Sequence, residues 1–182
     1  MIRDITVRKE SEAKLRYYSS HDSLTGLYNR AYFNEELHRL ERGRDFPVSI
    51  LVADLDCLKK TNDTLGHAAG DQLIRHAAAV MQEGVRGDDV VARIGGDEFA
   101  VILPRTDADQ AALVMERIRE CEALHNFGSP GETIAISLGA ATATAKGSLA
   151  PVLILADRRM YEDKELRKTI ACPEETDKEM TE

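Results

Sequence analysis

Two short acidic clusters contain the side chains best suited to chemistry in this chain of 182 residues. Asp54 and Asp56 end a long apolar run, and Asp97 and Glu98 directly follow a pair of glycines. A carboxylate at the end of a core strand is costly unless a cation pairs with it. Hard carboxylate oxygens are the ligands that Mg²⁺ and Mn²⁺ prefer, and these ions keep coordination positions open for phosphate oxygens. The two clusters therefore predict a metal site that binds a phosphate-containing ligand.

The residues beside and between the clusters fit the same kind of ligand. Gly95 and Gly96 have no Cβ, so their backbone can approach a phosphate closely. The polar segment 59–71, which we predict to be mostly a loop, adds cations, an amide and a carboxylate near the same rim. Each feature alone also fits a plain hairpin with a charged tip or a solvated loop. Their combination favours a nucleotide site.

Hydrophobic spacing and end signals predict the helices that position these residues. Asn29 is a good N-cap for the first helix, and Gly43 a good residue to end it. The predicted helices cover residues 30–42, 68–84, 107–124 and 149–168.

Four strands complete the predicted set. A near-continuous apolar run predicts a central buried strand over 47–56. Strands over 89–94 and 98–103 form a hairpin, with Gly95-Gly96 as its two-residue turn. A last strand is predicted over 133–144.

The order of these elements predicts an α+β fold: a central sheet that contains the antiparallel hairpin, is packed by helices and has a ferredoxin-like split β-α-β core. If the hairpin lies beside the buried strand, both acidic clusters meet at one edge of the sheet. The length supports one such domain, over residues 21–170. Residues 1–20 are predicted to end an upstream domain and to continue as a polar helix, either a solvated linker or one strand of a parallel coiled coil. Residues 171–182 are predicted to be a disordered acidic tail.

The composition excludes several classes of function. A net charge of −8 makes the chain a poor partner for the phosphate backbone of a nucleic acid. No apolar stretch reaches the length of a membrane span, so no membrane contact by this chain is expected. Three cysteines without the spacing of a metal site or a disulfide favour a reduced, cytoplasmic setting, although a full-length protein with further domains could be membrane-attached.

Four sequence motifs resemble one known family. They are Asp22-Ser-Leu-Thr-Gly-Leu-Tyr-Asn-Arg30, Asp54-Leu-Asp-Cys-Leu-Lys-Lys-Thr-Asn-Asp63, Gly66-His-Ala-Ala-Gly-Asp71 and Arg93-Ile-Gly-Gly-Asp-Glu-Phe99. In this order and at these separations the chain resembles the GGDEF domain of diguanylate cyclases over about residues 20–168. Such enzymes condense two GTP into cyclic di-GMP, and the resemblance implies a nucleotidyl-cyclase-like sheet. Residues 3–9 resemble the end of a PAS-type sensor domain that runs into its linker helix.

The resemblance implies a metal site in which two divalent ions, Mg²⁺ or Mn²⁺, bind per active site. Asp54, the backbone carbonyl of Leu55, and Asp97 would hold them, with Glu98 as a further candidate ligand. Asp97 would also help to deprotonate the 3′-hydroxyl of the substrate.

The resemblance also implies how GTP is bound. Asn62 and Asp71 would accept hydrogen bonds from the guanine edge, with His67 near the same pocket. Lys59 and Lys164 would offset charge on the triphosphate. Taken alone, either lysine also fits a solvated surface residue, and His67 fits a packing histidine.

Each domain binds one GTP, so the resemblance implies an antiparallel homodimer controlled by an upstream sensor domain. Arg86-Gly-Asp-Asp89 fits the family's RxxD site for inhibition by the product cyclic di-GMP, with Arg117 as a further candidate. A charged turn before the hairpin is the structural alternative for these residues.

The chain departs from the family pattern at a few positions. Leu58 stands where the family usually has Phe, and Thr61 where it has a branched apolar residue. The usual Lys-x-x-Gly-Arg is Lys164-Glu-Leu-Arg-Lys168, so the planar arginine geometry is lost unless Arg167 supplies it.

Three functions therefore stay open at the level of sequence. The first is a Mg²⁺-dependent diguanylate cyclase with product inhibition. The second is a catalytically silent GGDEF domain that acts as a receptor for GTP or cyclic di-GMP, but such receptors usually lose the acidic residues that stand here as Asp97 and Glu98. The third, a cyclase with another base preference, is disfavoured by the carboxylate at Asp71.

Overall fold

A five-stranded sheet forms the centre of the computed structural model, which describes residues 17–129 and 133–171, without the side chains of residues 168–171. The strand order is β1-β3-β4-β2-β5, and every pair is antiparallel except β1 with β3. The strands are β1 (Tyr28–Asn29), β2 (Val48–Leu55), β3 (Val90–Arg93), β4 (Glu98–Pro104) and β5 (Ile136–Ala143).

The apolar run in β2 makes it a central strand, because both of its neighbours cover its edges and helices cover both of its faces. All eight residues of β2 are buried. Leu51 and Ala53 pack in one core cluster, and Ile50 and Val52 in the other. This alternation follows from the two-residue period of a strand.

Five helices cover the two faces. They are α1 (Arg30–Arg42), α2 (Leu58–Leu65), α3 (His67–Glu83), α4 (Ala108–Gly128) and α5 (Ala150–Ala171). α3 and α4 contribute to one core cluster, and α1 and α5 to the other. The expected caps of α1 are present: Asn29 accepts from the Tyr32 N–H, and the Gly43 N–H donates to the Leu40 carbonyl. The predicted α+β fold is confirmed.

The segment after β2 contradicts the predicted loop. Residues Leu58–Leu65 form α2, and α3 already begins at His67. None of the residues of α2 is buried, so no apolar stripe marks it in the sequence. Its N-cap, Cys57, makes no side-chain capping hydrogen bond, so the usual start signal is missing as well.

The predicted two-residue hairpin turn is also wrong. Arg93 pairs with Phe99, and the Ile94 N–H donates to the Glu98 carbonyl, which leaves three residues in the loop. A two-residue turn needs a left-handed glycine, but neither Gly95 nor Gly96 has a positive φ. The longer loop brings Asp97 into the turn instead of the strand.

Three further predictions concern a membrane span, the cysteines and the two ends of the chain. No helix in the described part of the chain is long and apolar enough to cross a membrane. Cys121 is a free thiol. Residues 17–20 are helical, whereas the PAS-like fragment, the rest of the linker helix and the acidic tail beyond residue 171 lie outside the described residues.

Candidate functional site

The pairing of β2 with β4 brings the two acidic clusters together. Asp54 lies directly opposite Glu98 in the register, and the Leu55 N–H donates to the Asp97 carbonyl at 2.9 Å. The first cluster ends β2 and the second begins β4, so antiparallel pairing places both at the same edge. We call the residues Asp54, Leu55, Asp97 and Glu98 the acidic edge.

Lys164 of α5 reaches this edge. Its ammonium nitrogen lies 2.6 Å from Oδ1 of Asp54, whose side chain is only 9% exposed. Burial raises the pKa of Asp54, and the charge of Asp97 adds to this, although Lys164 opposes it. Burial alone would lower the pKa of Lys164, but the hydrogen bond and charge of Asp54 raise it. One cation therefore balances part of a larger acidic charge.

The donor set of the acidic edge fits a hard divalent cation. Its carboxylates come from two adjacent strand ends, and a lysine ammonium already lies against one of them. Within residues 17–129 and 133–171, no three His, Cys, Asp or Glu side chains are grouped closely enough to form a metal cluster by themselves.

The two glycines of the turn have different surroundings. A Cβ on Gly95 would lie 2.3 Å from Oε2 of Glu98, so Glu98 fills the space that a side chain would need. A Cβ on Gly96 would meet no atom within 4 Å. Of the two, Gly96 is therefore the open backbone surface.

Arg93 and Asp22 brace the same turn, and sequence reasoning gave neither residue a role. Arg93 donates to the Gly96 carbonyl at 2.7 Å and to Oδ1 of Asp22 at 3.1 Å. Burial opposes the charge of Asp22, but hydrogen bonds from Thr25 and Arg93 hold its pKa below the ordinary value. The basic residue two positions before Gly95 was the available signal, but its partner lies 71 residues away in sequence.

Asp56 is turned away from this arrangement and into the protein. Ser137 donates its hydroxyl to the Asp56 carboxylate, with 2.9 Å to each oxygen. Burial raises the pKa of Asp56 to about 6, although this hydrogen bond opposes the shift. Asp54 is the carboxylate of this pair that contacts Lys164.

The predicted guanine-binding residues lie on two adjacent helices. Asn62 on α2 packs against Gly70 of α3, where a Cβ would lie 2.0 Å from Asn62 Oδ1. Asp71 follows Gly70 and is exposed, as is His67 at the start of α3. The structure thus brings Asn62 close to the turn of α3 that carries Asp71. Lys59, also on α2, is exposed.

The Arg86–Asp89 turn forms a separate charged surface before β3. The Arg86 N–H donates to Oδ2 of Asp89 at 2.8 Å. Burial raises the pKa of Asp89, whereas the charges of Arg86 and Arg117 oppose the shift, which places Arg117 close by. Nε of Arg117 is buried and has no hydrogen-bond partner within the described residues.

Arg167 does not replace the missing arginine of the family motif. Its guanidinium donates to Oε1 of Glu122 at 2.7 Å and to the Ile136 carbonyl. The side chain is thus engaged with α4 and β5 and not with the acidic edge. The side chain of Lys168 lies outside the described part of the structure.

A helix-covered mixed sheet with paired carboxylates and a glycine-rich turn at one edge defines an α+β domain with a candidate ligand site at that edge. Comparison with known proteins gives the family. The model of the family described as "Diguanylate cyclase, GGDEF domain" matches residues 19–169. The chain belongs to the GGDEF domain family of diguanylate cyclases.

Among similar sequences, the probable diguanylate cyclase DgcT of Escherichia coli is 37% identical over 151 residues, covering 79% of this chain and 33% of that protein. The uncharacterized protein Rv1354c of Mycobacterium tuberculosis is 42% identical over 144 residues, covering 77% of this chain and 23% of that protein. The chain thus spans a third or less of these relatives.

Solved structures agree with the fold. The coiled coil and GGDEF domain of DgcB from Caulobacter crescentus, in complex with cyclic di-GMP, is 30% identical, with a TM-score of 0.79 and 90% coverage of both chains. Diguanylate cyclase SiaD from Pseudomonas aeruginosa, in complex with its activator SiaC, is 27% identical, with a TM-score of 0.75, covering 90% of this chain and 65% of that one.

Proposed function

We propose that this domain is a diguanylate cyclase, which condenses two GTP into cyclic di-GMP and two pyrophosphates. One observation carries the proposal: the register of β2 and β4 places Asp54 and Glu98 opposite each other, and the Leu55 N–H donates a hydrogen bond to the Asp97 carbonyl. A domain that had lost catalysis would not need three carboxylates at one edge, where Lys164 contacts Asp54.

Asp54, the Leu55 carbonyl, and Asp97, with Glu98 as a further ligand, would hold two divalent cations, Mg²⁺ or Mn²⁺. Bound there, the cations would neutralise the triphosphate and lower the pKa of the 3′-hydroxyl. Asp97 sits in the turn and accepts the proton of that hydroxyl. Lys164, which already reaches Asp54, lies where it can offset charge on the phosphates.

Asn62 and Asp71 select guanine in this proposal. An amide oxygen and a carboxylate accept hydrogen bonds from N1–H and the 2-amino group, and adenine lacks that donor pattern. His67 lies between them in sequence, at the start of α3, and Lys59 lies on the same helix as Asn62. The open backbone at Gly96 leaves room for phosphate oxygens.

The reaction needs two copies of the domain. Each 3′-oxygen attacks the α-phosphorus of the other GTP, forming a P–O bond while the bond to the β-phosphate breaks and pyrophosphate leaves. A single domain holds one GTP, so an antiparallel homodimer completes the active site. An upstream sensor domain would control how the two copies meet.

Arg86, Asp89 and Arg117 form the proposed site of product inhibition. A guanidinium can donate two hydrogen bonds to a phosphate or to the Hoogsteen edge of guanine, and a carboxylate can accept from guanine. The buried, unpartnered Nε of Arg117 beside Asp89 supports including this residue in the site.

The test is to incubate the purified chain with GTP and Mg²⁺ over a range of protein concentrations and to separate the products by chromatography. We expect cyclic di-GMP, formed at a rate per chain that rises with protein concentration. Binding of GTP or cyclic di-GMP without product at any concentration would favour the receptor function instead.

A further inference from the structure

The outer edge of β5 is covered by side chains instead of by another strand. β5 pairs with β2 on one side only, so its other edge presents unpaired backbone groups. The Leu138 N–H donates to Asp163 at 2.8 Å, and the Ala140 carbonyl accepts from Arg159 at 2.6 Å. α5 is therefore attached to this edge through polar side chains.

Glu122 of α4 lies at the centre of a second set of contacts to the same edge. Its side chain is only 6% exposed, and its two oxygens accept from Arg167 at 2.7 Å and from Arg119 at 3.2 Å. Arg119 also pairs with Asp163, and both arginines donate to the Ile136 carbonyl. We call Arg119, Glu122, Asp163 and Arg167 the polar clamp. Its two acids and two bases balance in charge.

Apolar packing holds α5 only as far as Met160. That residue is fully buried, and the helix approaches β5 so closely there that a Cβ on Gly139 would lie 2.1 Å from the Met160 nitrogen. From residue 161 to residue 167, none of the described side chains is buried. Lys164 lies in this stretch, with Asp163 and Arg167 of the polar clamp on either side.

We propose that Glu122 is a positioning residue, which holds the C-terminal part of α5 through Arg167 and Arg119 and so fixes Lys164 at the acidic edge. The benefit to catalysis rests on the proposed function, because it assumes that Lys164 acts on the triphosphate. The positioning itself does not. Arg167 stands where the family motif has Gly, so this part of the clamp belongs to the present chain and not to the motif.

The direct test measures how fast the Lys164 amine is acetylated, site by site, by mass spectrometry. The amine must leave its contact with Asp54 to react, so this contact protects Lys164. We expect Glu122→Ala to raise the Lys164 rate about fivefold or more, and Glu122→Gln, which can still accept from Arg167, to raise it less. Lys146, which donates to the Arg42 carbonyl, serves as the internal reference.

Two further variants complete this test, one as a control and one as a second way to break the clamp. Glu120→Ala removes an exposed glutamate of the same helix and should leave the Lys164 rate unchanged. Arg167→Met breaks the clamp from the side of α5 without leaving Glu122 unpaired. If Glu122→Ala does not fold, the Lys164 rate in Arg167→Met therefore tests the positioning role. Equal Lys164 rates in Arg167→Met and Glu120→Ala would overturn the proposal.

The functional consequence is tested by a double-mutant cycle with Lys164→Ala. We expect Glu122→Gln to lower kcat/KM for GTP about fivefold in the native background and less than twofold when Lys164 is absent. A full effect without Lys164 would show that Glu122 does not act through it. A wild-type chain that makes no cyclic di-GMP would refute the proposed function, while the acetylation rates would still decide the positioning role.

Discussion

The C-terminal part of α5 lies between two charged clusters that differ in charge balance. At the acidic edge, Asp54, Asp97 and Glu98 share one nearby cation, Lys164, and an open glycine backbone lies beside them. In the polar clamp, two carboxylates meet two guanidinium groups, and the clamp also contacts the Ile136 carbonyl and the Leu138 N–H of β5. An acidic excess at an open edge is costly in a free protein, whereas the opposite charges of a balanced network offset part of the cost of burial. The difference in charge balance is the reason why we propose ligand binding for the first cluster and positioning for the second.

Removal of the acidic charge should have the largest effect. We expect Asp97→Asn to lower the rate of cyclic di-GMP formation by about 10³-fold, because in the proposed function this residue both binds cations and accepts a proton. Asp63→Asn, on exposed α2, is the matched control and should change the rate little. Turnover of Asp97→Asn within tenfold of the native rate would remove this residue from the active site.

Loss of the Arg86 guanidinium should affect regulation but not the acidic edge. We expect Arg86→Ala to weaken inhibition by cyclic di-GMP roughly tenfold to hundredfold, since a charged bidentate contact is lost. The measurement is the concentration of product that halves the rate of each variant, relative to its own rate without product. Unchanged inhibition would show that the turn before β3 is only structural.

The two glycines of the turn offer a smaller and sharper comparison. Gly95→Ala forces the Glu98 side chain to move, so we expect a loss of about 1–2 kcal/mol in the free energy of unfolding. Gly96→Ala enters open space and should leave stability nearly unchanged while raising KM for GTP. Denaturant unfolding and initial rates measure the two effects. Equal stability losses would contradict the different surroundings of these glycines.

The last effect concerns how the free energy of unfolding changes with pH. Burial raises the pKa of Glu122 to about 7, although Arg119 opposes the shift. The folded chain then binds more protons at this site than the unfolded chain between about pH 5 and pH 7. The free energy of unfolding should therefore fall as pH rises through this window, by up to about 1 kcal/mol per pH unit. Glu122→Gln should flatten that slope, and a slope equal to that of the wild type would show that Glu122 titrates normally.

The sequence was sufficient for those parts of the fold and site that depend on local patterns. The apolar run of β2 and the caps of α1 gave their elements directly. The sequence predicted that both acidic clusters meet if the hairpin lies beside the buried strand, and β4 of the hairpin does pair with β2. α2 was missed because it buries no residue and so has no apolar stripe. The turn was misjudged because a Gly-Gly pair suits a two-residue turn as well as the longer loop that is present.

Contacts between distant parts of the chain could not be predicted in the same way. The hydrogen bond between Asp56 and Ser137 joins residues 81 positions apart in sequence, and the hydrogen bond between Arg167 and Glu122 joins residues 45 positions apart. Nothing in the local sequence of α4 marks Glu122 as buried, since a charged residue is normally placed at the surface. Only the packing of α4 and α5 against β5 shows that Glu122 has two basic partners.

The most direct test of the contrast between the acidic edge and the polar clamp uses Mn²⁺ in place of Mg²⁺, with a non-reactive GTP analogue. It follows how the paramagnetic ion broadens the NMR signals of backbone amides. The account predicts the strongest broadening at Asp54, Leu55 and Asp97, and weaker broadening at Asp163 and Arg167. Strongest broadening at the polar clamp, or none at the acidic edge at saturating Mn²⁺ and analogue, would contradict it.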